Sequence, residues 1–210
     1  MEERILAWKR YNLGLMSYHI YHTKAIILGG EGRGEGDRVL YCYTRELGLV
    51  AAHAKSLREG RSRLRYALQT FAHAEIELVR GKNGWKLISA HPIDSLATLW
   101  RHPSKRRIIA EHVHLVRRLI QGEERHELLF DDILAGFRFL SHLENEVELR
   151  AGELILVVRM LAHLGYWADR AAFVPLFAAN GWTTESLRLA EESRTPLLSE
   201  VNQALHLSHL

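Results

Sequence analysis

The chain has 210 residues, 47% of them hydrophobic, one cysteine and a formal net charge of +3. That length suits one large or two small domains with a real core. The single cysteine, Cys42, excludes an intramolecular disulfide and a zinc site of four cysteines or of two cysteines and two histidines. The net charge hides a division: residues 1–110 hold 19 Lys and Arg against 10 Asp and Glu, and residues 111–210 hold 9 against 15. A half at +9 joined to a half at −6 points to polyanion binding by the first. Residues 1–10 lack the apolar core of a signal peptide, and apolar runs such as 154–158 fall far short of a membrane span. With one unpaired cysteine, these features read as a soluble intracellular protein.

The first half alternates like strands. Segments 23–28 (TKAIIL), 39–44 (VLYCYT) and 49–54 (LVAAHA) are the first three, with a glycine-rich turn at 29–36 between the first and second. The run 55–65 (KSLREGRSRLR) follows with five positive charges and one negative. Such a loop is either a place for a phosphate backbone or simply a solvated surface. Segment 71–79 is the clearest strand, with Ala74, Ile76 and Leu78 facing one way and Glu75 and Glu77 the other. An Asn83-Gly84 hairpin step leads to 85–89 (WKLIS). Five short strands without intervening long helices predict a small antiparallel barrel.

The character changes near Pro92 and Pro103. Helical spacing places Ile108, Ile109, Val113, Leu115, Val116, Leu119 and Ile120 on one face of 104–121. Leu128, Leu129, Ile133, Phe137 and Leu140 do the same for 124–142, and Leu154, Val157, Val158, Leu161 and Leu164 for 147–164, which ends at Gly165. Shorter helices are predicted over 169–179, 184–191 and 196–208, the last with Thr195 as N-cap and Pro196 at its first position.

Few residues suggest chemistry. The glycine-rich segment 29–36 matches neither GxGxxG nor a P-loop, leads into a strand rather than a helix, and carries Glu31 and Glu35. His112 and His114, two apart on a helix, point to different faces, and His126-Glu127 lacks the second histidine of HExxH. Glu123, Glu124, Asp131 and Asp132 are spaced as a solvated helix face. No serine, nor Cys42, has a nucleophile's context, so neither an enzyme nor a cofactor is expected. Tyr41 and Tyr43 share one side of their strand, which either stacks bases or lines the barrel interior. Trp85 and Phe71 are expected in the core.

The order of these features resembles the recombination mediator protein RecO family. The resemblance runs through 23–28, Gly34-Glu-Gly-Asp37, Tyr43-Thr-Arg-Glu-Leu-Gly48, the basic stretch 55–65, Leu68-Gln-Thr-Phe71 and Glu77-Leu-Val-Arg-Gly81. In the helical half it takes in Glu111, Leu128-Leu-Phe130 and Leu161-Ala-His-Leu-Gly-Tyr166. It covers roughly residues 18–167, and the ordered set rather than any one motif is specific. Many members carry a four-cysteine zinc module after the Leu-Gly-Tyr segment. This chain has no cysteine there, so zinc is not carried over, and the tail reads as a short form. Members also begin a few residues before the first strand, where Met16 stands; residues 1–15 are then an extension or a product of start-codon choice.

The resemblance implies an α+β chain: an extension over 1–17, an oligonucleotide-binding (OB) five-stranded barrel over 18–92, and an all-α domain over 93–210. It implies binding of single- and double-stranded DNA, strand annealing, and help in exchanging single-strand-binding protein during RecF-pathway repair. The implied partners are RecR and the acidic C-terminal tail of single-strand-binding protein; the implied location is the cytoplasm, at the nucleoid, with no membrane. The candidate DNA contacts are Lys55, Arg58, Arg61, Arg63 and Arg65, supported by Arg33, Arg38, Lys82 and Lys86. A second basic cluster, Arg101, Lys105, Arg106 and Arg107, either extends the DNA track, receives an acidic peptide tail, or is a solvated first helical turn. The alternatives in function are a protein-interaction adaptor of the same fold and an RNA-binding module without annealing activity.

Overall fold

The computed structural model describes residues 19–33, 37–55, 67–120, 122–167, 173–178 and 180–207. Arg58, Arg61, Arg63 and Arg65 lie outside the described residues. The strands are β1 (Ile20–Arg33), β2 (Asp37–Thr44), β3 (Gly48–Ala54), β4 (Ala72–Gly81) and β5 (Gly84–Ser95). They close into a barrel in the order β1-β2-β3-β5-β4. Every pair is antiparallel except β3–β5, which is parallel through Ala52↔Trp85 and His53↔Lys86. The expected all-antiparallel barrel is corrected at this seam for a geometric reason: directions cannot alternate all the way round a ring of five.

The glycine-rich segment departs from its expectation as a turn. Its first residues are strand, pairing Gly29↔Tyr41 through Arg33↔Asp37, with a bulge between Ile27 and Gly29. The bulge bends β1, so that 20–26 pair with β4 while 25–33 pair with β2. At Gly30 a side chain would meet the Val39 carbonyl oxygen at 2.6 Å, so this crossing needs glycine. β4 behaves as its alternation predicts: Ala74, Ile76 and Leu78 are buried and Glu75 is exposed. The barrel interior adds Ile27, Leu40, Cys42, Val50 and Trp85.

Behind the barrel come α1 (Ala97–Arg101), α2 (Pro103–Leu119), α3 (Glu127–His142), α4 (Glu146–His163), α5 (Val174–Phe177), α6 (Thr184–Glu192) and α7 (Arg194–Leu207). α4 packs against α2, α3, α5, α6 and α7. It is buried nearly all round, as a central helix must be. Asn145 caps it, its Oδ1 accepting from the Val147 N–H at 2.8 Å. α7 begins at Arg194, so Pro196 is its third residue, a first-turn position where an N–H would have no intrahelical acceptor, and the proline, which has none, is tolerated. α3 begins three residues later than expected, and Leu128 on its first turn is 75% exposed rather than in the core.

The residues preceding α3 are used to dock the barrel. Leu49 N–H donates to the Gly122 carbonyl at 3.0 Å, Trp85 Nε1 donates to Glu123 at 2.9 Å, and Arg80 pairs with Glu123. Arg45, in the β2–β3 turn, reaches Glu127 at 2.6 Å and Asp131 at 2.9 Å. Of the four carboxylates expected on a solvated face, Glu123, Glu124 and Asp131 are exposed, though Glu123 and Asp131 also pair with Arg80 and Arg45, and Asp132 alone departs, its side chain buried against Arg159.

Tyr41 and Tyr43 share a side, but it faces neither bases nor the barrel interior. It is the face on which the helices pack. Tyr43 is 1% exposed, its ring 5.6 Å from Phe130; Tyr41 donates to Glu31 at 3.0 Å and lies 4.2 Å below the Arg117 guanidinium.

His112 on α2 is a buried polar group with a consequence for pH. Neither ring nitrogen has a hydrogen-bond partner among the described residues, and the ring meets Phe137 edge-on at 5.6 Å. Burial pushes its pKa down to about 4. The unfolded chain therefore takes up this proton first: the contribution is full above about pH 6.5 and is lost as pH falls toward the folded value. Urea denaturation is expected to show about 2 kcal/mol lost at this site between about pH 7 and about pH 5. His112→Leu should remove that part of the slope while leaving stability near neutrality unchanged or higher; an identical pH profile in the variant would contradict the assignment.

Candidate nucleic-acid interface

Where β3 and β5 run side by side, the barrel rim brings three connections together. Arg33 ends β1 opposite Asp37, the first residue of β2. His53 on β3 pairs with Lys86 on β5, and Lys55 follows the end of β3. The β4–β5 turn contributes Asn83. Together with Leu87 and Ile88 these residues line a groove of about 680 Å³. Three of the eight lining residues are permanent cations, against the single carboxylate of Asp37. Arg33, Lys55 and Lys86 are all exposed, and Arg33 Nη1 lies 3.4 Å from His53 Nε2. In OB-type barrels the β1–β2 and β4–β5 loops flank the oligonucleotide site, and this groove occupies that position.

The candidate residues divide as follows. Arg33, Lys55 and Lys86 share the groove, and Lys82 stands exposed in the β4–β5 turn beside it. Arg38 is outside the lining and half-buried, its guanidinium donating to the Gly30 carbonyl at 3.1 Å. In the second cluster, Arg101 and Arg106 are exposed. Lys105 departs from the expected surface patch: it is 3% exposed and donates through Nζ to the Ser141 carbonyl at 2.9 Å. That carbonyl belongs to the last turn of α3, which lacks intrahelical donors, so the lysine acts as a C-terminal cap. Arg107 is committed to Glu111 at 2.8 Å and Glu153 at 3.2 Å.

Sequence reasoning missed His53, Asn83 and Ile88 in the groove. It also missed Trp100, which is 46% exposed with the Arg106 guanidinium 5.7 Å from its ring centre. The signal for Trp100 was its place beside Arg101 in a stretch, 95–110, without a carboxylate. Among the described residues, no group of three or more His, Cys, Asp and Glu gathers to hold a metal, and no helix is long and apolar enough to cross a membrane.

Comparison with known proteins gives a consistent result. Residues 16–96, which contain the whole barrel, match the family model described as recombination protein O N terminal. The chain is 31% identical over 147 residues to the DNA repair protein RecO of Heliobacterium modesticaldum, covering 70% of this chain and 52% of that protein. It is 28% identical over 150 residues to the DNA repair protein RecO of Clostridium novyi, covering 71% and 58%. A shorter match of 36% over 81 residues is found with the DNA repair protein RecO of Desulfitobacterium hafniense, covering 39% and 30%. The chain spans between half and three fifths of the length of the first two. Over about 70% of its length the chain is therefore similar to DNA repair proteins named RecO, and its barrel matches the N-terminal model of that family.

Proposed function

We propose that the chain is a DNA-binding recombination mediator acting in DNA repair. The observation that carries this reading is the convergence of Arg33, Lys55 and Lys86 on one groove at the rim of an OB-type barrel. The names of the relatives support the process, and the charge division supports the polarity: a basic barrel half for DNA and an acidic helical half for protein partners. The basic run 55–65 leaves the barrel from within the groove at Lys55, so Arg58, Arg61, Arg63 and Arg65 are proposed to extend the same contact. RecR and the acidic tail of single-strand-binding protein are the proposed partners of the helical half.

No covalent step is required. Complementary strands repel through their phosphates; a cationic surface lowers that repulsion and concentrates both, so pairing and exchange of single-strand-binding protein become faster. Contacts of this kind position a backbone without reading its sequence. The test is the triple variant Arg33→Ala, Lys55→Ala, Lys86→Ala, titrated with single-stranded DNA, duplex DNA and RNA of one sequence across a salt series. With about 0.7 in the log–log salt slope per phosphate, the single-strand slope should fall by about 2 and annealing should slow in parallel. An unchanged slope in a folded variant overturns the groove. Failure of the unaltered chain to retain DNA at moderate salt favours an adaptor, and a preference for RNA favours an RNA-binding module.

A further inference from the structure

Trp100, next to last in α1, is 46% exposed, whereas Trp85 and Trp167 are each 5% exposed. An exposed indole forgoes the stabilisation of burial, and such surface marks interaction sites. The ring is fixed rather than free. Phe71 stands 5.1 Å from it, and Arg106 lies 5.7 Å from its centre. Phe71 is itself held in an uncommon conformation, φ 66°, with its N–H donating to the Ile27 carbonyl at 2.7 Å. A bulky side chain in that region costs about 1 kcal/mol or more and persists only when the surroundings enforce it.

The setting is cationic. Arg101 and Arg106 are exposed, and no carboxylate occurs between residues 95 and 110. The acidic side chains that reach α2 from α4 are engaged elsewhere, Glu146 with Ser104 and Glu153 with Arg107. A fixed indole beside guanidinium groups recognises a flat π-system carrying a phosphate. The path of the chain supplies the connection: the basic run leaves the groove at Lys55, and the described chain resumes at Ala67, four residues before Phe71. The described residues flanking the run thus lie at the groove, where Lys55 is, and in the segment that leads to Phe71 at the indole.

We propose that Trp100, braced by Phe71 and Arg106 and flanked by Arg101, is a stacking platform for an unpaired base of single-stranded DNA. This rests on the reading of the barrel as a DNA-binding surface. A single strand would then be held at two places, by its phosphates in the groove and by a base at the platform. A duplex, whose bases are already stacked, would use the groove alone.

The test titrates the full chain with a short oligothymidine, an abasic oligomer of equal length, a duplex and an acidic peptide. The unaltered chain should prefer thymidine over the abasic strand. Trp100→Ala should abolish that preference and lower single-strand affinity about five-fold or more, with duplex affinity and salt slope unchanged. Trp100→Phe, which keeps a ring, should retain most of the preference and shows that lost affinity is not lost folding. The triple groove variant should weaken every ligand yet keep the preference for bases. A Trp100→Ala variant with the original preference overturns the platform, as does a parallel loss on duplex or the absence of any base preference in the unaltered chain. Loss confined to an acidic peptide would assign the surface to a protein partner instead. If the groove variant changes nothing while Trp100→Ala loses the preference, the groove fails and the platform stands.

Discussion

Replacing Asp132 by alanine is expected to lower stability by about 3–5 kcal/mol, a large share of what a domain of this kind possesses. Asp132 on α3 and Arg159 on α4 have side chains only 9% and 7% exposed and meet at 2.7 Å. The carboxylate also receives His163 Nε2 at 3.0 Å and Trp182 Nε1 at 2.9 Å. The other edge of the guanidinium donates to the carbonyls of Leu176 at 2.5 Å and Ala178 at 3.0 Å. One ion pair therefore ties α3, α4, the end of α5 and the segment leading to α6. The pair is not strongly favourable relative to an apolar replacement, because both ions lose hydration. The asymmetry is what matters: without its carboxylate, Arg159 is a buried charge whose backbone partners cannot neutralise it. Urea denaturation of Asp132→Ala should show the full loss, and the double variant Asp132→Leu, Arg159→Met should recover most of it. A loss below about 1 kcal/mol in the single variant would show that water reaches and solvates the guanidinium.

The same site carries a pH dependence of known sign. Burial raises the Asp132 carboxyl, but hydrogen bonds from His163, Arg159 and Trp182 and the charge of Arg159 outweigh it. The group ends below the usual carboxylate range. Its folded value is depressed, so its contribution is present above about pH 4 and is lost as pH falls through and below that value. This acid limb lies below the His112 transition; Asp132→Ala should remove it and, by taking away the negative charge that holds the His112 pKa up, move the His112 transition lower.

How much of this was legible beforehand depended on the range of the interaction. The β4 alternation, the Asn83-Gly84 turn and the Gly165 helix end are local signals, and each appears where its pattern indicates. Strand parity likewise places Tyr41 and Tyr43 on one side. Parity cannot say what covers that side, and the covering residues, Arg117 and Phe130, lie far along the chain. Lys105 and Asp132 look solvated on a helical wheel. They are buried because their partners, Ser141 and Arg159, come from other helices. The groove follows the same rule. Arg33, Lys55 and Lys86 are each visible as basic residues near strand ends, but their proximity depends on the parallel β3–β5 seam, which composition does not record.

The docking of barrel on helices should fail at one glycine. Gly48 opens β3 with φ +68°, and a side chain there would stand 2.3 Å from the Glu124 carbonyl oxygen and 2.7 Å from its nitrogen. Both are backbone atoms, so no rotamer change relieves the overlap. The backbone around Glu124 is also held in place, by Leu49 N–H on the Gly122 carbonyl and by Glu123 on Trp85. Gly48→Ala must pay about 1–2 kcal/mol for the left-handed conformation and lose a further 0.5–1.5 kcal/mol or so with the displaced Leu49 bond, about 3 kcal/mol in all. Gly165→Ala isolates the first part: φ is +81° there, and nothing lies within 4 Å of the added carbon. It should cost about 1–2 kcal/mol, with no effect on the barrel. Hydrogen exchange distinguishes the two. Gly48→Ala should expose the Leu49 amide while the interior pairs of β4 and β5 stay protected, because the barrel core does not depend on Glu124. Equal destabilisation by the two substitutions would mean that the segment before α3 yields freely, and that the barrel is held to the helices by the Tyr43–Phe130 face and the Arg45 ion pairs instead.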